Sequence, residues 1–298
     1  MTVYGEITNN KVRSFILIGV FVFLFGGFFY LLGKIYDTPG YFLLGLGLSL
    51  ATSLGSYFYS DKIVLWMNRA RPADKQQFFD LYTVTENLTI AAGLPMPKIY
   101  VIGDPSPNAF ATGRNPKHAV VCVTTGLLDK LERVELEGVI AHELSHVQNY
   151  DILLSTLVAV LVGTVAYVSD WIMRSFWWGG FGRRRDDEEK RNPLMLIAII
   201  AVLILMPIAA TLIQLAVSRK REYLADASGA LLTRYPLGLA RALEKIARDP
   251  VRLTHVTPST AHLYISSPFK KTARASWINN LFSTHPPIEE RIRILRNM

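Results

Sequence analysis

One cysteine, Cys122, stands in the 298 residues, so no intrachain disulfide can form and the chain suits a reducing compartment. It lies in the apolar run 119–123, where a small buried hydrophobe is expected rather than a reactive thiol. No internal repeat occurs at solenoid periods. Charge is missing altogether from four stretches, 14–33, 38–60, 152–169 and 192–218, which run from 18 to 27 residues. A helix needs about 20 apolar residues to cross the roughly 30 Å hydrocarbon core, so four such stretches exclude a purely soluble chain. Their lack of acidic and basic groups also argues against a transporter or channel, whose path would need ionisable groups inside the spans. The formal charge is +8, yet no nucleic-acid-binding motif accompanies it, so nucleic acid is not expected as a partner.

What is present divides the chain. Residues 1–60 form a tail and a membrane hairpin with spans at about 14–33 and 38–60. The first span is too long and too closely followed by the second for a cleaved signal peptide, and reads as a retained anchor. Residues 61–151 and 219–298 are polar and frame a second hairpin, 152–218, with spans at about 152–173 and 192–218. Neither polar piece is large enough to fold well alone; together they make a domain of ordinary size, split by the membrane hairpin. The second piece carries 14 basic against 6 acidic residues, the first 9 against 11. Lys62, Arg69 and Arg71 follow the second span, and Arg219, Lys220 and Arg221 follow the fourth, which places both pieces in the cytoplasm. The charged loop 170–191 then falls outside, against the same tendency. Trp171, Trp177 and Trp178 suit an interfacial belt, so both a full crossing and a re-entrant hairpin stay open.

Patterning predicts an amphipathic helix over 74–92 ending at Gly93, β-rich runs at 98–103 and 119–125, and a long helix from about 133 through 149 towards the third span. Helices are expected at 219–232, 237–248 and 288–296, with 251–283 irregular. The class is α+β with a small sheet, joined to a multi-pass helical membrane part.

The 133–149 helix contains Ala141-His142-Glu143-Leu144-Ser145-His146. Four residues advance a helix by about 400°, so His142 and His146 lie about 40° apart on one face and can hold one Zn²⁺. Glu143 stands beside that face, placed to accept a proton from an attacking water. A catalytic zinc takes a third protein ligand. Glu222 offers one, and Asp226, a turn later, can orient a zinc histidine through its other ring nitrogen. The alternative for these two is an acidic i,i+4 pair matched to nearby arginines. Both ligand segments abut uncharged runs, within about 10 Å of the membrane boundary if the helices continue, so an antiparallel hairpin would bring them together.

These residues resemble the HtpX-type membrane metallopeptidases, relatives of the CaaX prenyl endopeptidases, along nearly the whole chain. The matching segments are 108–113 (Asn-Ala-Phe-Ala-Thr-Gly), 142–146, 221–226, and 283–287 (Ser-Thr-His-Pro-Pro) with Arg291. The resemblance implies a gluzincin-like zinc peptidase domain with one Zn²⁺ per subunit. It implies cleavage of damaged or misfolded membrane proteins and unfolded polypeptides at the cytoplasmic face of a bacterial plasma membrane, often under stress. His142, His146 and Glu222 become the ligands and Glu143 the general base. His285 is a candidate oxyanion donor or a loop histidine before the last helix, and Arg291 orients that motif or Asp226, or is a surface arginine. Asn108, Ala109, Phe110 and Ala111 would form an edge for substrate backbone, although Asn108 also reads as a turn residue. His118, His255 and His262 match no motif. The rival reading is a non-catalytic membrane scaffold with a structural zinc. The oligomeric state is left open by the sequence.

Overall fold

Pro39 and Gly40 punctuate the first apolar region, separating α1 (Val3–Ile35) from α2 (Gly40–Met67). The structure, a computed structural model, describes residues 3–35, 37–179, 219–254, 256–257, 259–266 and 286–298. After α2 come β1 (Arg71–Pro72), α3 (Phe79–Ala92), β2 (Lys98–Ile102), β3 (Ala109–Gly113) and β4 (Ala119–Thr124). There follow α4 (Thr125–Lys130), α5 (Arg133–Gln148), α6 (Asp151–Gly179), α7 (Arg219–Thr233), α8 (Pro236–Arg248) and α9 (Ile288–Arg296).

Among the described residues three helices are long and apolar enough to cross a membrane, over Ile7–Leu31, Gly40–Met67 and Asp151–Asp170. The fourth run, 192–218, and most of the charged loop lie outside the described residues. Leu17, Phe21, Phe25 and Phe28 of α1 pack against Leu154, Leu157, Leu161 and Val165 of α6. The buried face of α2 carries Gly45, Ser49, Ser53, Ser56 and Ser60, small residues that let neighbouring helices approach closely. Phe15, Phe23, Leu43 and Leu54 point outward, as a lipid-facing surface requires.

The sheet is mixed, in the order β1-β2-β4-β3. β2 and β4 run parallel, with Ile99 opposite Val121 and Val101 opposite Val123; β3 is antiparallel to β4, with Phe110 opposite Cys122. Every residue of β4 is buried, which explains its unbroken apolar run. β3 lies at the sheet edge beside α5 and α6.

Two local expectations are corrected, and one short strand is added to them. The helix anticipated from residue 74 begins at Phe79, because the Asp74 carboxylate accepts the N–H groups of Gln76 and Gln77, at 2.9 Å each, and folds 74–77 into a turn. The helix expected to continue past 149 stops at Gln148, and α6 starts afresh at Asp151. Tyr150, at φ 60°, takes the left-handed conformation, which a continuing right-handed helix cannot contain. The two-residue strand β1, paired with β2, had no counterpart in the patterning.

α5 is buried along most of its length, between the sheet, α3, α7 and α8. Its start is fixed by the Glu132 N–H, which donates to Glu135 Oε2 at 2.8 Å, and by Lys245 of α8, 2.7 Å from the same oxygen. α8 crosses α5 at Gly138, where an added Cβ would stand 2.5 Å from the backbone nitrogen of Leu239. Because that neighbour is backbone, Gly138→Ala is expected to destabilise the detergent-solubilised protein by about 1–3 kcal/mol, read as a lowered unfolding midpoint.

Candidate metal centre

A one-turn spacing on α5 sets the rings of His142 and His146 at right angles, with centroids 4.8 Å apart. Each ring has one nitrogen committed to a carboxylate. His142 Nδ1 lies 2.9 Å from Asp226 Oδ1, and His146 Nδ1 lies 3.0 Å from Asp151 Oδ2. A carboxylate accepts, so each Nδ1 carries a proton, and each Nε2 is left to face the cluster. Those Nε2 atoms face each other at 3.2 Å. Glu222 of α7 closes the group, with Oε1 3.6 Å from His146 Nε2 and Oε2 3.9 Å from His142 Nε2. Two ring nitrogens and a carboxylate converging in this way need a cation among them, either a proton on His146 Nε2 or a metal ion. A tetrahedral ion bound at about 2.0–2.1 Å needs donor separations of about 3.3 Å, close to those observed. The donor set therefore fits a metal ion, and His142, His146 and Glu222 form the candidate cluster.

The surroundings are negative. Glu143, Asp151, Glu222 and Asp226 outnumber the nearby guanidiniums of Arg221 and Arg291. Burial lowers the pKa of His146, but the Asp151 hydrogen bond and the charges of Glu222, Asp151 and Glu143 raise it to about 9, which shows how strongly the site favours positive charge. His142 is lowered, by burial first, against the pull of Asp226. Glu143 is pushed up to about 7, by burial and then by Glu222, with His146, a hydrogen bond from the Ala111 backbone and Arg291 opposing. A carboxyl near neutrality can both take and return a proton.

Asp226 is held in turn by Arg291, whose Nε and Nη2 donate to its two oxygens at 2.8 and 2.7 Å. Burial would raise the pKa of Asp226, yet this guanidinium keeps it below the ordinary carboxylate value. Arg291 Nη1 also donates to the Ile265 carbonyl at 3.0 Å. α7 can lie close to His142 because Gly229 faces it: a Cβ there would stand 3.1 Å from the His142 nitrogen.

The cleft beside the cluster has Ala111 of β3 on its lining together with His262, Tyr264 and Ile265. The β3 edge is partly engaged. The Ile265 N–H donates to the Ala109 carbonyl at 2.9 Å, and the Asn108 amide donates to Ser266 O at 3.0 Å. Phe110 is buried against the Tyr264 ring, with centroids 5.1 Å apart. Of the four expected edge residues, Ala111 lines the cleft and reaches Glu143, whereas Asn108 and Ala109 are bonded to the chain's own 265–266 segment. His285 lies outside the described residues, as does His255. His118 is exposed and bonded to Arg114 and Asn115.

Two site residues went unseen in the sequence. Asp151 left a trace, as an acid placed just ahead of an uncharged run. His262 left none; it lies in an irregular segment and is placed by the fold, with Nε2 3.0 Å from the Ser155 carbonyl of α6.

A histidine pair one turn apart, a carboxylate from a distant helix and a buried glutamate, all set against membrane-crossing helices, define a membrane metallopeptidase. Comparison with known proteins agrees. The model for peptidase family M48 matches residues 75–298. The chain is 45% identical to a protease HtpX homolog of Tropheryma whipplei (strain Twist), over 99% of this chain and 98% of that one. It is 47% identical to a protease HtpX homolog of Dictyoglomus turgidum, over 100% and 95%, and 46% identical to one of Streptococcus pyogenes serotype M5, over 99% of each. Among solved structures, Ste24p of S. mikatae shares the fold, with TM-score 0.50 and 20% identity over 98% of this chain and 67% of that one. The chain belongs to peptidase family M48, in its HtpX-type branch.

Arg291→Ala leaves the Asp226 carboxylate buried without its guanidinium and is expected to cost about 3–5 kcal/mol of stability, whereas the exposed Arg293→Ala should barely shift the unfolding midpoint. Cys122 is fully buried, and burial, then Glu143, pushes its thiol well above the usual range. Alkylating reagents at neutral pH should therefore label the folded protein negligibly and the denatured protein fully, as read by intact mass.

Proposed function

We propose that this chain is a zinc-dependent endopeptidase that hydrolyses damaged or misfolded membrane proteins at the cytoplasmic face of a bacterial plasma membrane, as part of protein quality control under stress. The observation that carries the reading is the convergence of His142 Nε2, His146 Nε2 and the Glu222 carboxylate beside the buried Glu143. Zinc is favoured among divalent ions by the two-imidazole, one-carboxylate donor set. When bound, the ion polarises the scissile carbonyl and acidifies the attacking water.

The chain's own residues do the rest. Asp226 and Asp151 hold the two imidazoles in the tautomer that presents Nε2. Glu143 accepts the proton of the attacking water and returns it to the leaving amine, a pair of transfers that its buried place beside the cluster suits. Ala111, across the cleft, offers backbone to an extended substrate. His285 is the proposed oxyanion donor. The location at the membrane is supported by the site's height: His146 lies five positions before the first residue of the α6 span, which favours substrates that are themselves held in or near a bilayer. Arg69 and Arg71, after the α2 span, and Lys62 near its end support the cytoplasmic placement.

Glu143→Gln should keep its zinc, by elemental analysis, while cleavage of an unfolded membrane-protein substrate falls by roughly 10²- to 10⁴-fold. Glu222→Ala should instead lose the metal. Full cleavage by Glu143→Gln, or full metal content in Glu222→Ala, overturns the assignment.

A further inference from the structure

The metal cluster is tied to an unexpected part of the chain. Asn10, on the first turns of α1, is fully buried and uses both polar atoms of its side chain on three groups around the cluster. Its Nδ2 donates to the Asn149 carbonyl at 2.9 Å and to Asp151 Oδ1 at 2.7 Å. Its Oδ1 accepts from Arg221 Nη1 at 3.2 Å, and the same Nη1 stands 3.4 Å from Asp151 Oδ1. Asp151 thus has one oxygen on Asn10 and Arg221 and the other on His146 Nδ1. Arg221 immediately precedes Glu222 in α7. A second α1 contact lies on the same corner: Lys11 Nζ sits 4.2 Å above the ring of Tyr150, the left-handed residue between α5 and α6.

We infer that Asn10 is a positioning residue of the metal centre, an amide on the first membrane helix that fixes the Asp151 carboxylate against His146 and holds it to the helix bearing Glu222. Only an amide satisfies the three contacts. An aspartate would turn an acceptor toward two acceptors, and an apolar residue would leave the buried Asp151 Oδ1 with Arg221 alone. With Asp151 free to rotate, the His146 ring loses the partner that fixes its orientation, and the cost falls on metal affinity. α1 is on this account part of the peptidase site as well as an anchor. The inference rests on His142, His146 and Glu222 being the ligands.

The experiment uses the purified full-length protein in detergent. Zinc affinity is measured by competition with a chromogenic chelator, and site geometry by the visible absorption of the cobalt-loaded protein. Asn10→Ala and Asn10→Asp are expected to weaken zinc binding by about 10- to 100-fold and to shift the cobalt bands. In an Asp151→Ala background, Asn10→Ala should add less than about twofold, because the two residues act in series. Phe21→Leu, in the α1–α6 packing away from the amide, serves as a destabilised control and should leave both readings unchanged. Asn10→Ser replaces Asn10→Ala if the latter does not fold. Unaltered zinc affinity and cobalt spectrum in the Asn10 variants, full additivity with Asp151→Ala, or an equal loss in Phe21→Leu would each overturn the inference. Retention of metal by Glu222→Ala would strike the ligand assignment itself, which separates the two failures.

Discussion

The site depends on the carboxylate behind each imidazole. An imidazole alone on a helix can present either nitrogen and swing about its χ angles; with Nδ1 bound to a buried acid it can present only Nε2. Asp226 does this for His142 and Asp151 for His146, the first from a distant helix and the second from just past the end of α5. Asp226 is clamped by Arg291 from the last helix, Asp151 by Asn10 from the first. A cluster built from two adjacent turns of one helix is therefore braced by both ends of the polypeptide. Such buried ion pairs cost desolvation and contribute little net stability; their return is a defined geometry.

Much of this was legible from residue spacing. His142, Glu143 and His146 are set by helical periodicity, which is local and survives any tertiary arrangement. Asp226 was readable for the same reason, lying one turn from Glu222 on a single helix. The extents of α8 and α9 followed from the patterning to within a residue, and β4 from its apolar run. What escaped was whatever depended on a break or on distance. Asp151 lies beyond the left-handed Tyr150, so no helical wheel places it next to His146. Asn10 meets Asp151 across a separation of 141 residues, which no local pattern records. His262 belongs to a segment without periodicity, positioned by bonds to α6, to Asn68 and to β3.

The break at Tyr150 also separates two mechanical roles. A continuous helix from α5 into α6 would couple any tilt of the membrane span directly to the ligand rings. Instead α5 ends among the sheet, α3, α7 and α8, and α6 begins with its own first residue bonded to the cluster. The metal-binding helix is thereby referenced to the α+β body, and the spans touch it through side chains at the corner. Gly138 and Gly229 serve the same end by letting α8 and α7 lie directly on α5.

The cover on β3 has a consequence for how the molecule behaves in company. An edge strand with open amides and carbonyls is a template on which other strands, including those of a second copy, can assemble into aggregates. Here the Ala109 carbonyl is taken by Ile265, the Ala111 backbone faces Glu143, and the Gly113 N–H turns to the Thr156 hydroxyl at 3.4 Å. The stretch left for an added strand is thus short and lies inside the cleft at Ala111, and self-association along that border is blunted without any charged gatekeeper on the strand.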